Sequence, residues 1–190
     1  MVRWRSGTRE RLQATALQLF TERGYDETTV AEIAAAAEVT ERTFYRHFAD
    51  KREVLFAGQD DFTGMFTGPV DDAPAGTQAF SLVRRSLESA SAFFPRDRRD
   101  WSRSRQRVID AVPALGEREL GKLATLKVHL GDALRAHGVD EPAATIAAET
   151  AVTVFHLSFT QWIADGEDRD FAAIVHERLD ALTRMVHPGS

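Results

Sequence analysis

The sequence predicts an all-α protein of about nine helices, with an N-terminal three-helix head carrying a helix-turn-helix and a larger helical bundle behind it. Three observations predict this. Apolar residues recur at helical spacing through nearly the whole chain, and no stretch alternates with period two for long enough to make a strand. Helix signals fall in register with that pattern, with Thr29, Thr40 and Asp50 as N-caps and Gly24, Gly138 and Gly166 as stops. The 190 residues are 43% hydrophobic and 28% charged, enough to bury a core without staples.

In chain order, the first helix buries Leu12, Ala16, Leu19 and Phe20 and ends at Gly24. Thr29 opens the second, with Glu32 at capping-box spacing and Ile33, Ala34 and Ala37 as its buried face. Thr40 caps a third, which buries Phe44 and Phe48. Asp50 and Glu53 repeat the capping-box signature and start a fourth helix over about 51–66, through Val54, Leu55, Phe62 and Phe66. Helices this short hold only by packing on one another. Residues 67–76 read as a loop. Five longer helices follow, over 77–94, 100–111, 113–137, 142–165 and 169–186. The expected domains are a head over 1–52 and a ligand-binding and dimerisation domain over 53–190, connected by the fourth helix.

The chain has no cysteine, which excludes a disulfide scaffold, a thiolate-bound metal and thiol catalysis. No glycine run cradles phosphate, no Gly-x-Ser-x-Gly or His-Glu-x-x-His is present, and none of the six histidines follows a glutamate by three positions. An enzyme, a cofactor and a metal are therefore not expected. No apolar run approaches the ~20 residues needed to span a bilayer, and the start lacks the apolar segment of a secretory signal. A cytoplasmic location without a membrane partner is expected. The net charge of −5 divides into +1 over 1–52 and −6 over the remainder. Arg3, Arg5, Arg9 and Arg11 stand against one acid, Glu10, and such a patch binds phosphate even on an acidic molecule.

The informative segment is Thr28 to Lys51, TTVAEIAAAAEVTERTFYRHFADK. Two short helices joined by a tight turn at Glu38-Val39 make a helix-turn-helix. Ala34 to Ala37 are small where the helices cross, and Phe44 and Phe48 form the apolar side of the second. Glu41, Arg42, Thr43, Tyr45, Arg46 and His47 remain outward, with tips suited to base edges and phosphates. An ordinary solvated face is the alternative.

These residues, with Leu12 to Gly24-Tyr25, Thr28-Thr29-Val30, Ile33-Ala34, Val39-Thr40, Thr43-Phe44-Tyr45 and Phe48-x-x-Lys51, resemble the TetR family of transcriptional regulators over roughly residues 8–56. One departure is Glu38, where the family has glycine. The resemblance implies DNA binding by Thr29, Thr40, Glu41, Arg42, Thr43, Tyr45, Arg46, His47 and Lys51. Thr29, Thr40, Tyr45, His47 and Lys51 would hold phosphates, while Arg42 and Thr43, with Glu41 and Arg46, would read bases. Arg3 and Arg5 would form a minor-groove arm or a charged terminus.

The resemblance also implies that the remainder senses a small molecule and dimerises. The helices over 142–165 and 169–186 are apolar on several sides and suit a two-fold four-helix interface, so that paired heads read a palindromic operator on double-stranded DNA. The candidate pocket is Phe62, Phe66, Phe94, Trp101, Arg105, Phe155, His156, Phe159 and Trp162, with plain core as the alternative. Arg105 and His156 interrupt apolar stripes, and Arg105 needs a partner: an acid such as Glu88 or Glu149, water, or an anionic ligand. The arginine run 96–107 is a solvated face or an anion receiver. Pro113-Ala114-Leu115 to Glu119-Leu120 is similar to the C-terminal domain of mycofactocin-associated and other actinobacterial regulators, some of which respond to acyl-CoA. The expected function is a repressor released from DNA by a hydrophobic or anionic ligand; the alternative is a helical carrier or sensor without DNA binding.

Overall fold

A computed structural model describes residues 7–186. Among them are ten α-helices, one 3₁₀ turn and no strand. The helices are α1 Thr8–Arg23, α2 Val30–Ala36, α3 Glu41–His47, α4 Glu53–Phe56, α5 Gln59–Asp71, α6 Ala79–Ser91, α7 Arg99–Ala111, α8 Pro113–Ala136, α9 Ala143–Trp162 and α10 Phe171–Val186, with the 3₁₀ turn at Arg96–Arg98. Arg3 and Arg5 lie outside the described residues. The chain divides into two compact units, Met1–Ala57 with Ser104–Glu119 and Gly58–Arg103 with Leu120–Ser190. The division falls inside α7 and inside α8.

The expected fourth helix is broken in two. Gly58 takes φ +88°, in the left-handed region that glycine enters without steric cost, so α4 is a single turn and α5 starts afresh at Gln59. This break turns the expected nine helices into ten. The loop expected over 67–76 starts only after Asp71, and Pro69 lies inside α5. A proline in the last turn removes one backbone donor, and that helix end still gains a partner, because Arg85 Nε donates to Pro69 O.

The first unit is built on Leu12, Ala16, Ile33, Phe44 and Val54, all fully buried. Burial of Leu12, Ile33, Phe44 and Val54 contributes roughly 1.5–3 kcal/mol each. The second unit packs α6 against α5, α9 and α10. Its core holds Phe66, Leu82, Leu87, Leu130, Trp162, Phe171 and Leu179. Ser86, fully buried on α6, donates to Phe66 O at 2.7 Å and fixes α6 on α5.

Candidate functional site

The capping signals read from the sequence set the head. Thr29 Oγ1 accepts from Glu32 N at 3.2 Å, and Glu32 Oε2 accepts from Thr29 N at 2.8 Å, which closes the capping box of α2. The Thr29 N–H, and after it the Thr29 hydroxyl, which donates to Glu32 Oε2 at 2.9 Å, hold the Glu32 carboxyl below its usual range. At the other end of α2, Val39 N–H donates to Ala34 O and Glu38 N–H to Ala35 O, the paired bonds of a Schellman ending. That ending requires a left-handed residue, and Glu38 supplies it at φ 56°. A residue with a Cβ costs about 1–2 kcal/mol there. Arg11 Nε donates to Ala37 O at 3.1 Å, tying α1 to the same turn.

The turn delivers α3 with one face in and one out. Phe44 is fully buried and Phe48 is 3% exposed, their rings 5.3 Å apart. Thr40, Glu41, Arg42, Tyr45 and Arg46 are exposed, while Thr43 and His47 are half-buried. Tyr45 is 54% exposed and stands edge-on to Phe44, which aims its phenol outward. Thr40 Oγ1 accepts from Thr43 N at 3.2 Å and bonds Thr43 Oγ1, so α3 starts on a formed cap. Among the described residues neither Arg42 nor Arg46 has an ion pair or hydrogen bond. Their guanidinium forks are left to solvent.

Three expected phosphate contacts are placed differently. The Thr29 hydroxyl and N–H both face the Glu32 carboxylate. His47 Nε2 is buried and has no hydrogen-bond partner among the described residues. Lys51 Nζ turns into the head, donating to Tyr25 O at 2.7 Å and Thr28 O at 2.9 Å.

The candidate pocket residues also separate. Phe62, Phe66, Phe94, Phe155, Phe159 and Trp162 come together in the second unit, with Phe93 and Phe171 joining them, at centroid distances of 4.9–6.3 Å. Phe171 carries no sequence signal beyond its apolar phase in the last helix. Trp101 lies beside the Arg98 guanidinium, 5.1 Å from its ring centroid. His156 is exposed on α9, where the buried face runs through Ala151, Val152, Phe155, Ser158 and Trp162 and leaves the histidine on the outer side.

Arg105 belongs to the first unit and is 6% exposed. Its partner is Glu119, with bonds of 2.9 and 3.3 Å, rather than Glu88 or Glu149, which pair with His176 and Lys127. Arg105 Nε donates to Leu55 O at 2.7 Å, and its guanidinium lies 5.1 Å from the Phe56 ring centroid. Arg118 lies 5.4 Å from the same ring and bonds Glu53. Gln13 donates to Val54 O at 3.3 Å. The single turn of α4 is thereby clamped by α1, α7 and α8.

Arg96, Arg99 and Arg103 of the arginine run serve the segment that ends α9 and follows it. Arg103 Nε donates to Ile163 O at 2.8 Å and its NH2 to Ala164 O at 3.1 Å, satisfying carbonyls at the helix end. Arg99 donates to Glu167 O and Arg169 O, and Arg96 pairs with Asp170.

The chain matches two family models, "Bacterial regulatory proteins, tetR family" over residues 12–57 and "MftR C-terminal domain" over residues 77–187. It is 45% identical over 83 residues to the HTH-type transcriptional regulator TcmR of Streptomyces glaucescens, covering 42% of this chain and 37% of that protein. It is 27% identical over 113 residues to the mycofactocin biosynthesis transcriptional regulator MftR of Mycobacterium tuberculosis, covering 60% and 57%. The chain thus spans from about a quarter to somewhat over half of the length of the curated relatives it matches. The crystal structure of Thermus thermophilus FadR, a TetR-family repressor in complex with lauroyl-CoA, shares the fold at TM-score 0.54 and 21% identity, covering 93% of each chain. With one model over the head and another over more than half of the sequence, the chain belongs to the TetR family of bacterial transcriptional regulators and carries a C-terminal domain of the MftR type.

Proposed function

We propose that this regulator is a homodimeric repressor that reads a palindromic operator through α3 and leaves it when a small molecule enters the second unit. The observation that carries the reading is the outward face of α3, where Arg42 and Arg46 have no ion pair or hydrogen bond among the described residues and Tyr45 is 54% exposed over a locked Phe44. In this arrangement Arg42, Thr43 and Arg46, with Glu41 beside them, meet base edges, and Thr40 and Tyr45 hold phosphates. Arginine forks match the acceptor pair on guanine.

Dimerisation is assigned to the outer face of α9 and to α10. Ile146 and Leu157 are 60% and 49% exposed on α9, with Thr150 and Thr153 between them at helical spacing, and Met185 on α10 is 79% exposed. An uncharged stripe of this kind suits an isologous contact, in which the same face serves both subunits. The ligand assigned to the second unit is largely apolar, received by the aromatic cluster around Phe62, Phe94 and Phe155. The lauroyl chain of the acyl-CoA bound in the FadR structure is of this class, and Arg96, Arg99 and Arg103 are engaged with the segment after α9 rather than with a charged headgroup. DNA binding is assigned to the N-terminal residues and ligand binding to the second unit. A ligand shifts an equilibrium between two states only by its differential affinity for them.

The test is selection of bound fragments from genomic DNA, followed by a salt titration on a recovered duplex. A head pair with ~6–10 phosphate contacts loses ~10³–10⁵ in affinity between 50 and 200 mM salt. Flat, weak retention refutes the reading and leaves a helical carrier.

A further inference from the structure

Lys51 occupies the position that the family pattern gives to a phosphate contact, yet its ammonium is already in use. An ammonium has three N–H donors. One meets Tyr25 O at 2.7 Å and a second meets Thr28 O at 2.9 Å. The nitrogen also lies 4.1 Å from the centroid of the Tyr25 ring, a cation–π contact that occupies the remaining side. Both carbonyls belong to the segment between α1 and α2, which leaves α1 at Gly24 with φ 95° and enters α2 at the Thr29 cap. Thr28, fully buried, donates its hydroxyl to Gly24 O at 2.8 Å and ties the segment back to α1. Tyr25 packs on Phe20 at 5.0 Å. Without the ammonium, two carbonyls of a six-residue connection lose their charged donor, and the entry into α2 loses its tie to the residues that follow α3.

We propose that Lys51 is a positioning residue for the DNA-binding head, fixing the connection between α1 and α2 and through it the register of the helix-turn-helix, and is not a ligand for the DNA backbone. The inference rests on reading the first unit as a DNA-binding head. It departs from the phosphate role that the family pattern gives this position.

The experiment compares wild type, Lys51→Met and Lys51→Arg on a duplex recovered by genomic selection with the wild-type dimer. Salt titrations are run at a temperature where circular dichroism shows every variant fully folded. Lys51→Met is expected to bind roughly tenfold more weakly, a loss in the range of hydrogen bonds to a charged group, with the slope of log K against log salt unchanged. Lys51→Arg, which keeps a charged donor, recovers most of the affinity. A backbone contact instead makes the Lys51→Met slope shallower by about 2 per dimer, since each neutralised phosphate contributes about 0.9. That result overturns the proposal. Unchanged affinity in folded Lys51→Met also overturns it, because the lysine then serves stability alone.

A second arm uses only wild-type protein and therefore survives misfolding of the variant. Acetylation of Lys51 by N-acetoxysuccinimide is expected to be slow in the free protein and no slower on the duplex. Fast modification in the free protein that the duplex suppresses overturns the proposal. Failure of the underlying reading is distinct: wild type then retains no duplex in a salt-dependent manner, and the positioning role falls with it.

Discussion

The buried pair between Arg105 and Glu119 makes a demanding test, because its surroundings fix the size of the effect. In Arg105→Met the stem remains and three charge-assisted bonds disappear, two to Glu119 and one to Leu55 O. Removing one partner of a fully buried pair costs about 3–5 kcal/mol. The Arg105 side chain is 7% exposed but that of Glu119 is 19% exposed, so the carboxylate regains part of its hydration. The expected loss therefore falls at or below the lower limit of that range, about 2–3 kcal/mol. For a chain of this length each kcal/mol moves the melting temperature by roughly 2–4 °C, so the shift is about 4–12 °C. Glu119→Gln keeps the volume and one acceptor, and so costs less than Arg105→Met. Urea denaturation of both variants and of the double variant gives the coupling energy. A loss below about 0.5 kcal/mol for Arg105→Met, or full additivity in the cycle, refutes the claim that this pair holds α4.

The remaining predictions address the head, the turn, the dimer and pH. Arg42→Ala should cost about 1–3 kcal/mol on the selected duplex and relax preference at one base position, whereas Tyr45→Phe should weaken all duplexes about equally; a panel of operator variants read by fluorescence anisotropy separates the two. Glu38→Gly relieves the left-handed strain at φ 56° but adds freedom to the unfolded chain, for a net gain of about 0.5–1 kcal/mol in urea with unchanged DNA affinity. Leu157→Glu places a charge on the exposed stripe of α9 and should give monomers in sedimentation, with loss of operator binding. Tyr25 is pushed up to about 12, mainly by burial and then by the nearby Asp50 charge. Its contribution to stability is accordingly complete below pH 10 and lost as pH rises from 10 towards 12; Tyr25→Phe should flatten that alkaline decline in thermal melts.

Much of the head was legible because local chemistry fixes it. Thr29 with Glu32 and Thr40 with Thr43 form the caps their spacing implies. The expected Asp50–Glu53 box forms only in part: Asp50 Oδ1 takes the N–H groups of Arg52 and Glu53 at 2.8 and 3.0 Å, but Arg52 stands at the N-cap of α4 and the Glu53 carboxylate pairs with Arg118. The break at Gly58 was not legible, since Val54, Leu55, Phe62 and Phe66 keep helical spacing across it and only the left-handed φ interrupts the helix. Pro69 misled in the opposite direction. Next to Gly68 it has the look of a loop, yet one missing donor in a final turn does not end a helix that tertiary packing holds.

Side-chain roles were harder to read because residue type does not say which neighbour arrives. Arg105 needed a partner, and the sequence offered Glu88 and Glu149 on other helices but not Glu119, which is found only once α7 and α8 are folded against each other across Val112. The chain turns there within a few residues, which brings Glu119 back beside Arg105. The same argument bears on Lys51. A sequence pattern records that a lysine is needed at a position, and a phosphate and a pair of turn carbonyls both select for a flexible ammonium. Geometry distinguishes them, because a donor within 2.7–2.9 Å of two carbonyls must release both before it can reach a duplex. The cost of that release sets the balance between the two roles, and the salt slope of Lys51→Met measures which one the ammonium performs.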